Sequence, residues 1–310
     1  MSLSPELFQP AKSQTSAEEI ARPSTTLWQD AWRRFKKNPM AMIGLIIIAL
    51  LILFSVVGPW ISHFNYYEND LAHPFMDPSW VHPLGTDDLG RDNMTRLMFG
   101  GRISLEIGFV SVIINLGIGV FYGGISGYFG GKVDNIMMRI IDIVYSVPDL
   151  LYVILLSVTL SQKGQNSESS LLNIMIVLGI VNWMPMARLV RGQILSLREQ
   201  EYVLAARTLG AKTSRLLLKH LVPNSIGTII VTAALAIPSA IFMEAFLSFI
   251  GLGVQPPLAS WGSMASAGRL AIPSHPTSLF YPAAAIAIAM LAFNFVGDGL
   301  RDAFDPKMRK

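Results

Sequence analysis

Five ionisable residues, Glu106, Arg139, Asp142, Asp149 and Glu244, lie inside or beside long apolar runs. A charge there is costly unless it pairs or faces water, so each is a candidate for function. Arg139 and Asp142 stand one helical turn apart and read as an intrahelical ion pair. Glu244 reads in two ways, as a pathway group meeting a cationic substrate or as an acceptor for a neighbouring helix, and Asp149 joins it as a candidate pathway residue. The chemistry open to such groups is binding and charge pairing. Bond-making chemistry finds no carriers. The chain has no cysteine, which excludes disulfides, thiolate metal sites and thiol nucleophiles. Its five histidines, His63, His73, His82, His220 and His275, are too scattered to suggest a metal site. No GxxxxGK[ST] phosphate loop and no HExxH pair occur. The Asn93-Met94-Thr95 triplet formally matches a glycosylation sequon, a three-residue pattern to which no role is assigned. Basic residues without interleaved aromatics do not outline a nucleic-acid surface. Catalytic, cofactor-binding and metal-ligating residues are therefore all expected to be absent.

The elements that hold these residues are membrane spans. Of 310 residues, 52% are hydrophobic and only 15% charged, and the mean hydropathy is +0.46. Soluble domains carry about 25% charge. A bilayer core about 30 Å thick needs roughly 20 apolar helical residues, and Met40 to Trp60 supplies them without one ionisable group. Further spans are expected at Ile107 to Phe129, Ile140 to Leu160, Leu171 to Ala187, Asn224 to Phe249 and Phe280 to Val296. The first run is no cleavable signal, because a long polar stretch precedes it. That stretch reads as disordered to about Ser24. With both ends on the cytoplasmic side, 19 of the 24 Lys and Arg residues fall on cytoplasmic flanks, as the positive-inside bias requires. The net charge of +3 is thus topological.

The expected layout is a cytoplasmic, largely flexible tail (1–38), a first transmembrane helix (39–61), an extracytoplasmic segment (62–102), a five-helix core (103–297) holding a cytoplasmic loop (188–222), and a cytoplasmic C-terminal tail (298–310). Gly119, Gly123 and Gly127 recur at four-residue spacing, with Gly131 next in the series, and let another helix approach closely. Pro148, Pro185 and Pro238 predict kinks within spans.

The longest cytoplasmic loop has its own pattern. Tyr202, Ala205, Ala206 and Leu209 share one face of a short helix, Gly210 stands where a left-handed cap would end it, Thr213 or Ser214 opens a second helix, and Pro223 is expected to break the chain before the fifth span. This is a small lever joined to two spans. Its alanine-rich face suits a protein groove better than a membrane surface, which favours bulkier residues.

From Glu201 to Asn224 the run EYVLAARTLGAKTSRLLLKHLVPN resembles the cytoplasmic signature of inner-membrane permeases of binding-protein-dependent ABC importers. Three further blocks resemble the dipeptide and oligopeptide branch, in its C-type subunit: HPLGTDDLGRD (His82 to Asp92) followed by Gly101 to Leu105, EAFLSFIGLGVQPPLASWG (Glu244 to Gly262), and FNFVGDGLRDAFDP (Phe293 to Pro306). The likeness runs from about Leu27 to the C-terminus. Leu204 replaces the Glu usual before the paired alanines of the wider superfamily, and His220 and Val222 replace aliphatic residues; Glu201 stands near enough to take over part of the acidic role.

The resemblance implies an all-α polytopic bundle of six transmembrane helices, the type I ABC importer permease fold, in a bacterial inner membrane with both termini cytoplasmic. It implies a second homologous permease, two cytoplasmic ABC ATPase subunits that carry ATP and Mg, and an extracytoplasmic peptide-binding protein, with membrane lipid around the chain and no nucleic acid. Glu201, Tyr202, Ala205, Ala206, Arg207, Leu209 and Gly210 would form the ATPase-coupling element, and 62–102 and 251–278 would face the binding protein. Three rivals stay open at this point: a related permease for nickel or another small solute, a proton-coupled secondary transporter using Glu244, Asp149 or Asp142, and a membrane scaffold that transports nothing.

Overall fold

The structure, a computed structural model, describes residues 26–161 and 167–305; the tail to Ser24, Lys163 and the last five residues of the expected C-terminal tail lie outside them. Among the described residues there is no strand, only one isolated bridge between Thr86 and Asp92. Helices account for the rest of the order, and they end where the sequence supplies caps or breakers.

Part of the tail expected to be flexible is helical. In α1 (Leu27–Phe35), Thr26 and Gln29 form a capping box, and Ala31 and Phe35 are buried. That buried face packs on the end of α12 (Thr277–Phe304), with Trp28 edge-on to Phe304 at 5.7 Å. The chain then enters α2 (Pro39–Ile61), whose Asn38 cap accepts from the Ala41 N–H. α3 (Asn93–Phe129) is capped by Asp92 and runs 37 residues, about 55 Å at the α-helical rise and so longer than a bilayer core. The expected span from Ile107 is thus its second part, and the segment expected to lie wholly outside the membrane ends in its first turns.

The third expected span is two helices. α4 (Gly131–Tyr145) and α5 (Asp149–Ser161) meet at 78°. Pro148 lacks an N–H and disfavours helical backbone at Val147, which places the break there. The fourth is one span, Ser169–Leu197, in which a single turn residue, Asn182, separates α6 (Ser167–Val181) from α7 (Trp183–Leu197). Because α7 continues to Leu197, the cytoplasmic loop expected from Arg188 begins ten residues later. α10 (Val222–Phe249) runs through Pro238 without interruption, and α11 (Trp261–Ala271) precedes α12.

Pro223 does not break the chain. It sits in the first turn of α10, directly after a π-helical turn at Leu217–Leu221. Proline deletes one rung of an α-helical ladder and crowds the carbonyl four residues back; the wider turn carries the Val222 N–H to the Leu217 carbonyl instead. Thr213 to Phe249 is therefore one continuous rod.

Among the described residues five helices are long and apolar enough to cross a membrane, α6 and α7 counting together as one, and the number is six where the bent α4–α5 pair counts as one span. α3 is the central post, packed on α2, α6, α7 and α10. Both described ends of the chain lie at one end of the bundle, where Arg34 donates to the Asp305 carbonyl. The connections 62–92 and 250–276 meet at the other, where Phe75 stacks on His275 at 4.4 Å.

Candidate functional site

The lever forms at the end of the bundle that holds both termini. α8 (Glu201–Thr208) follows α7 after a short turn, and α9 (Thr213–Leu216) opens the rod. A Schellman arrangement stops α8: the Ala211 N–H reaches back to the Ala206 carbonyl and the Gly210 N–H to that of Arg207. The turn requires φ +83° at Gly210, where a side chain would be strained although space is open around it. One side chain pins α8 to the core. Val203 is fully buried among Ile194, Leu216, Leu221 and Ile229. With that peg inward, Tyr202, Ala205 and Leu209 are exposed, Leu209 at 89%. Ala206, expected on the same face, instead turns partly inward beside Val203. Glu201 and Arg207 are exposed, and the Arg207 guanidinium lies over the Tyr128 ring at 5.8 Å.

Three arginines of α7 and the turn after it tie the lever to the spans. Arg198 donates to the Gly127 and Tyr128 carbonyls, both at 3.2 Å, and so satisfies the open end of α3. Arg191 grips Asp134 of α4 with Nε and a terminal nitrogen, while Ser126 donates to the same carboxylate. Arg188 pairs with Asp142 at 2.8 Å. The intrahelical Arg139–Asp142 pair expected from spacing is therefore replaced by an interhelical one: Arg188 on α7 reaches the carboxylate and also covers the Tyr145 ring. None of these long-range partners is visible as a spacing in one sequence.

The glycine face of α3 meets α7. A Cβ at Gly119 would stand 2.6 Å from Met186, one at Gly123 would strike the Ala187 carbonyl, and one at Gly127 would stand 2.7 Å from the Arg191 carbonyl. Gly131 does not extend this face; it opens α4 at φ +53° with nothing near its α-hydrogen position.

The two candidate pathway residues part company. Glu244 is fully buried at the junction of α3, α10 and α11, where it accepts from Ser104 at 3.1 Å and Ser248 at 2.7 Å. Ser104 also accepts the Trp261 backbone N–H, and the Trp261 indole donates to the Leu97 carbonyl. These contacts match the hydrogen-bond acceptor of its two readings. Asp149, by contrast, lines a cavity of about 470 Å³ together with Asn115, Asn182 and Met186.

At the opposite end Asp87 accepts from the Leu89 and Arg91 backbones and from the Arg91 guanidinium at 2.7 Å, and His82 pairs with Asp92 at 3.0 Å. Arg96 lies 3.3 Å from Asp87 and donates to the Tyr66 carbonyl. These residues fold the segment upon itself. A hydrogen bond from His73 holds the Asp70 carboxyl below its ordinary range.

Comparison with known proteins follows the same division of the chain. A family profile described as binding-protein-dependent transport system inner membrane component matches residues 119–310, and one described as the N-terminal TM domain of oligopeptide transport permease C matches residues 26–78. The oligopeptide transport system permease protein OppC of Bacillus subtilis is 53% identical over 305 residues, covering 98% of each chain. The dipeptide transport system permease protein DppC of the same organism is 49% identical over 295 residues, covering 95% of this chain and 90% of its own. OppC of Escherichia coli K12 is 44% identical over 295 residues, covering 94% and 95%.

Proposed function

The chain belongs to the binding-protein-dependent inner-membrane permeases, in their oligopeptide and dipeptide ABC branch, and from that premise we propose that it imports short peptides as one of two homologous permeases driven by ATPases. It is a membrane-spanning transport permease and not an enzyme. In this reading two cytoplasmic ATPase subunits bind ATP and Mg, an extracytoplasmic binding protein delivers the peptide, and both termini are cytoplasmic.

One observation carries the proposal: a short helix pegged by Val203 presents Tyr202, Ala205 and Leu209 outward and has no break between its neighbour α9 and the fifth span. A partner that grips the exposed face moves the rod Thr213 to Phe249 with it. Arg198 and Arg191 pass the same displacement to α3 and α4. Closure of the ATPase pair on ATP favours one orientation of the lever, and the difference in binding free energy between two orientations is what shifts the transporter between them. The cargo route then runs past the Asp149 cavity and not past Glu244.

Purification of the tagged chain from its native membrane in mild detergent, with mass spectrometry of what accompanies it, tests the reading. Recovery of a second permease and ABC ATPases is expected. Ala205→Glu places a charge in the docking face, where burial without a partner is strongly unfavourable, and should cut ATPase recovery while leaving the second permease bound. Wild-type chain that emerges alone and moves solute in liposomes without ATP would overturn the proposal.

A further inference from the structure

The cavity beside Asp149 lies at one sharp helix break and one local irregularity. α4 gives way to α5 immediately before Asp149, and α6 gives way to α7 at Asn182, which also lines the space. Irregular backbone at membrane depth is tolerated where protein or water covers it, and transporters place substrate at such interruptions. A second observation is independent of the breaks. Asn115, in the middle of α3, is only 6% exposed and lines the cavity, yet its Oδ1 has no hydrogen-bond partner among the described residues. An amide oxygen buried without a partner is costly. Its neighbours are occupied elsewhere: Ser111 donates to the Met175 carbonyl, Thr232 to that of Thr228, and the Asn182 amide to that of Leu178. Asp149 is exposed, and among the described residues its Oδ1 accepts the adjacent Leu150 N–H. Met186, Met243 and Met290 supply the apolar wall.

We propose that this cavity is a holding station for peptide in transit, in which the Asn115 amide pairs with a main-chain peptide group and the Asp149 carboxylate with the N-terminal ammonium. The inference rests on the peptide-importer reading. An asparagine side chain offers the acceptor and donor of a peptide bond, so it binds any sequence by its backbone. Methionines adapt to side chains of differing shape. About 470 Å³ lies within the range of small-molecule sites, and a short peptide uses all three features together. The station lies between the two ends of the bundle, on α3, α7 and the rod that the lever moves.

The test uses the complete transporter in proteoliposomes, with ATP on the ATPase side, binding protein on the other, and trialanine as probe. Asn115→Leu, matched in volume, should lower the maximal uptake rate about tenfold, the worth of roughly one hydrogen bond, and Asn115→Gln should recover part of it. Asp149→Asn should lower it also. Wild-type rates with Asn115→Leu overturn the station while the importer reading stands; a wild-type complex that ignores trialanine overturns the importer reading itself. A second measurement holds if Asn115→Leu fails to assemble. The chain has no cysteine, so Asn115→Cys introduces its sole thiol. Trialanine during turnover should slow the modification of that thiol by a water-soluble methanethiosulfonate about threefold when two-thirds of sites are filled. Modification at an unchanged rate overturns the station.

Discussion

Glu244 is conspicuous in the sequence, and in the molecule it is buried and hydrogen-bonded. A carboxylate in an apolar run announces itself, and Ser248 four residues on is within local reach; the deciding partner, Ser104, lies 140 residues earlier. Periodicity within one helix carries no information about that distance, so both readings of Glu244 were equally consistent with its surroundings in sequence. The same holds for Asp142, whose partner Arg188 is 46 residues away. These contacts differ in worth. Replacing Glu244 with Leu leaves the buried Ser104 and Ser248 hydroxyls without their acceptor and should destabilise the chain by about 2 kcal/mol, whereas Glu244→Gln keeps an acceptor and should cost less; thermal unfolding of the purified protein in detergent measures both. Arg191→Ala removes two hydrogen bonds to a carboxylate whose own side chain is only 8% exposed, a loss of about 2 kcal/mol. Arg188→Ala breaks a pair whose side chains are 45% and 55% exposed, and such pairs are worth about 0–1 kcal/mol. The same unfolding assay should rank Arg191→Ala well above Arg188→Ala, and equal losses would mean that the Asp134 clamp is no stronger than a surface pair.

Helices were legible where composition alone decides them and obscure where a neighbour does. Pro148 marks the α4–α5 break, since its ring disfavours helix at the preceding residue, whereas α10 carries Pro238 without one. The interruption at Asn182 has no such breaker before it; Pro185 lies within the first turn of α7, where proline is accepted. Pro223 misled for the opposite reason. Its expected break disappears into a π turn that reroutes one backbone bond, with Leu216 just before the turn and Leu221 at its end buried in the core. α1 was missed because nine residues of mixed polarity resemble a tail until α12 buries Ala31 and Phe35. The glycine series of α3 was readable as a contact face, though not as one that stops at Gly127. Gly123→Leu drives a branched side chain into the Ala187 carbonyl and should abolish the monodisperse, assembled protein by size-exclusion chromatography. Gly117→Leu is the control, because nothing lies near a Cβ there and leucine is the better helix former. Disruption by both substitutions would mean that helix packing at 119–127 is not the cause. At the lever, Gly210→Val forces a β-branched residue to positive φ, a strain of about 1–3 kcal/mol. ATP hydrolysis by the complex should persist while peptide uptake falls, and unchanged coupling would remove the Schellman turn from the mechanism.

At the scale of the molecule, the charge count predicts something that no single contact does. The structure places residues 26 and 305, the lever and the Gly130 turn at one end, and 62–92 with 250–276 at the other. Lys and Arg are concentrated at the first end, with 19 of 24 on the flanks assigned to it. Loops rich in Lys and Arg stay on the cytoplasmic side, so the lever end should be cytoplasmic and the folded Asp87–Arg91–Arg96 segment outside. An even number of crossings is required for this, which means that the bent α4–α5 pair must count as one crossing despite its 78° angle. Were it re-entrant instead, five crossings would put the two ends of the chain on opposite faces, against their contact through Arg34 and Asp305. The cysteine-free sequence permits a direct measurement. Trp80 and Leu209 are 103% and 89% exposed, so a thiol at either position disturbs no packing within the chain, and cells that lack the ATPase subunits leave Leu209 uncovered. In intact cells Trp80→Cys should react with a membrane-impermeant maleimide and Leu209→Cys should not, and permeabilisation should expose the second. Labelling of Leu209→Cys in intact cells would invert the bundle and place the lever beyond reach of any cytoplasmic ATPase. Labelling of neither until permeabilisation would put both ends on one side, which six crossings forbid.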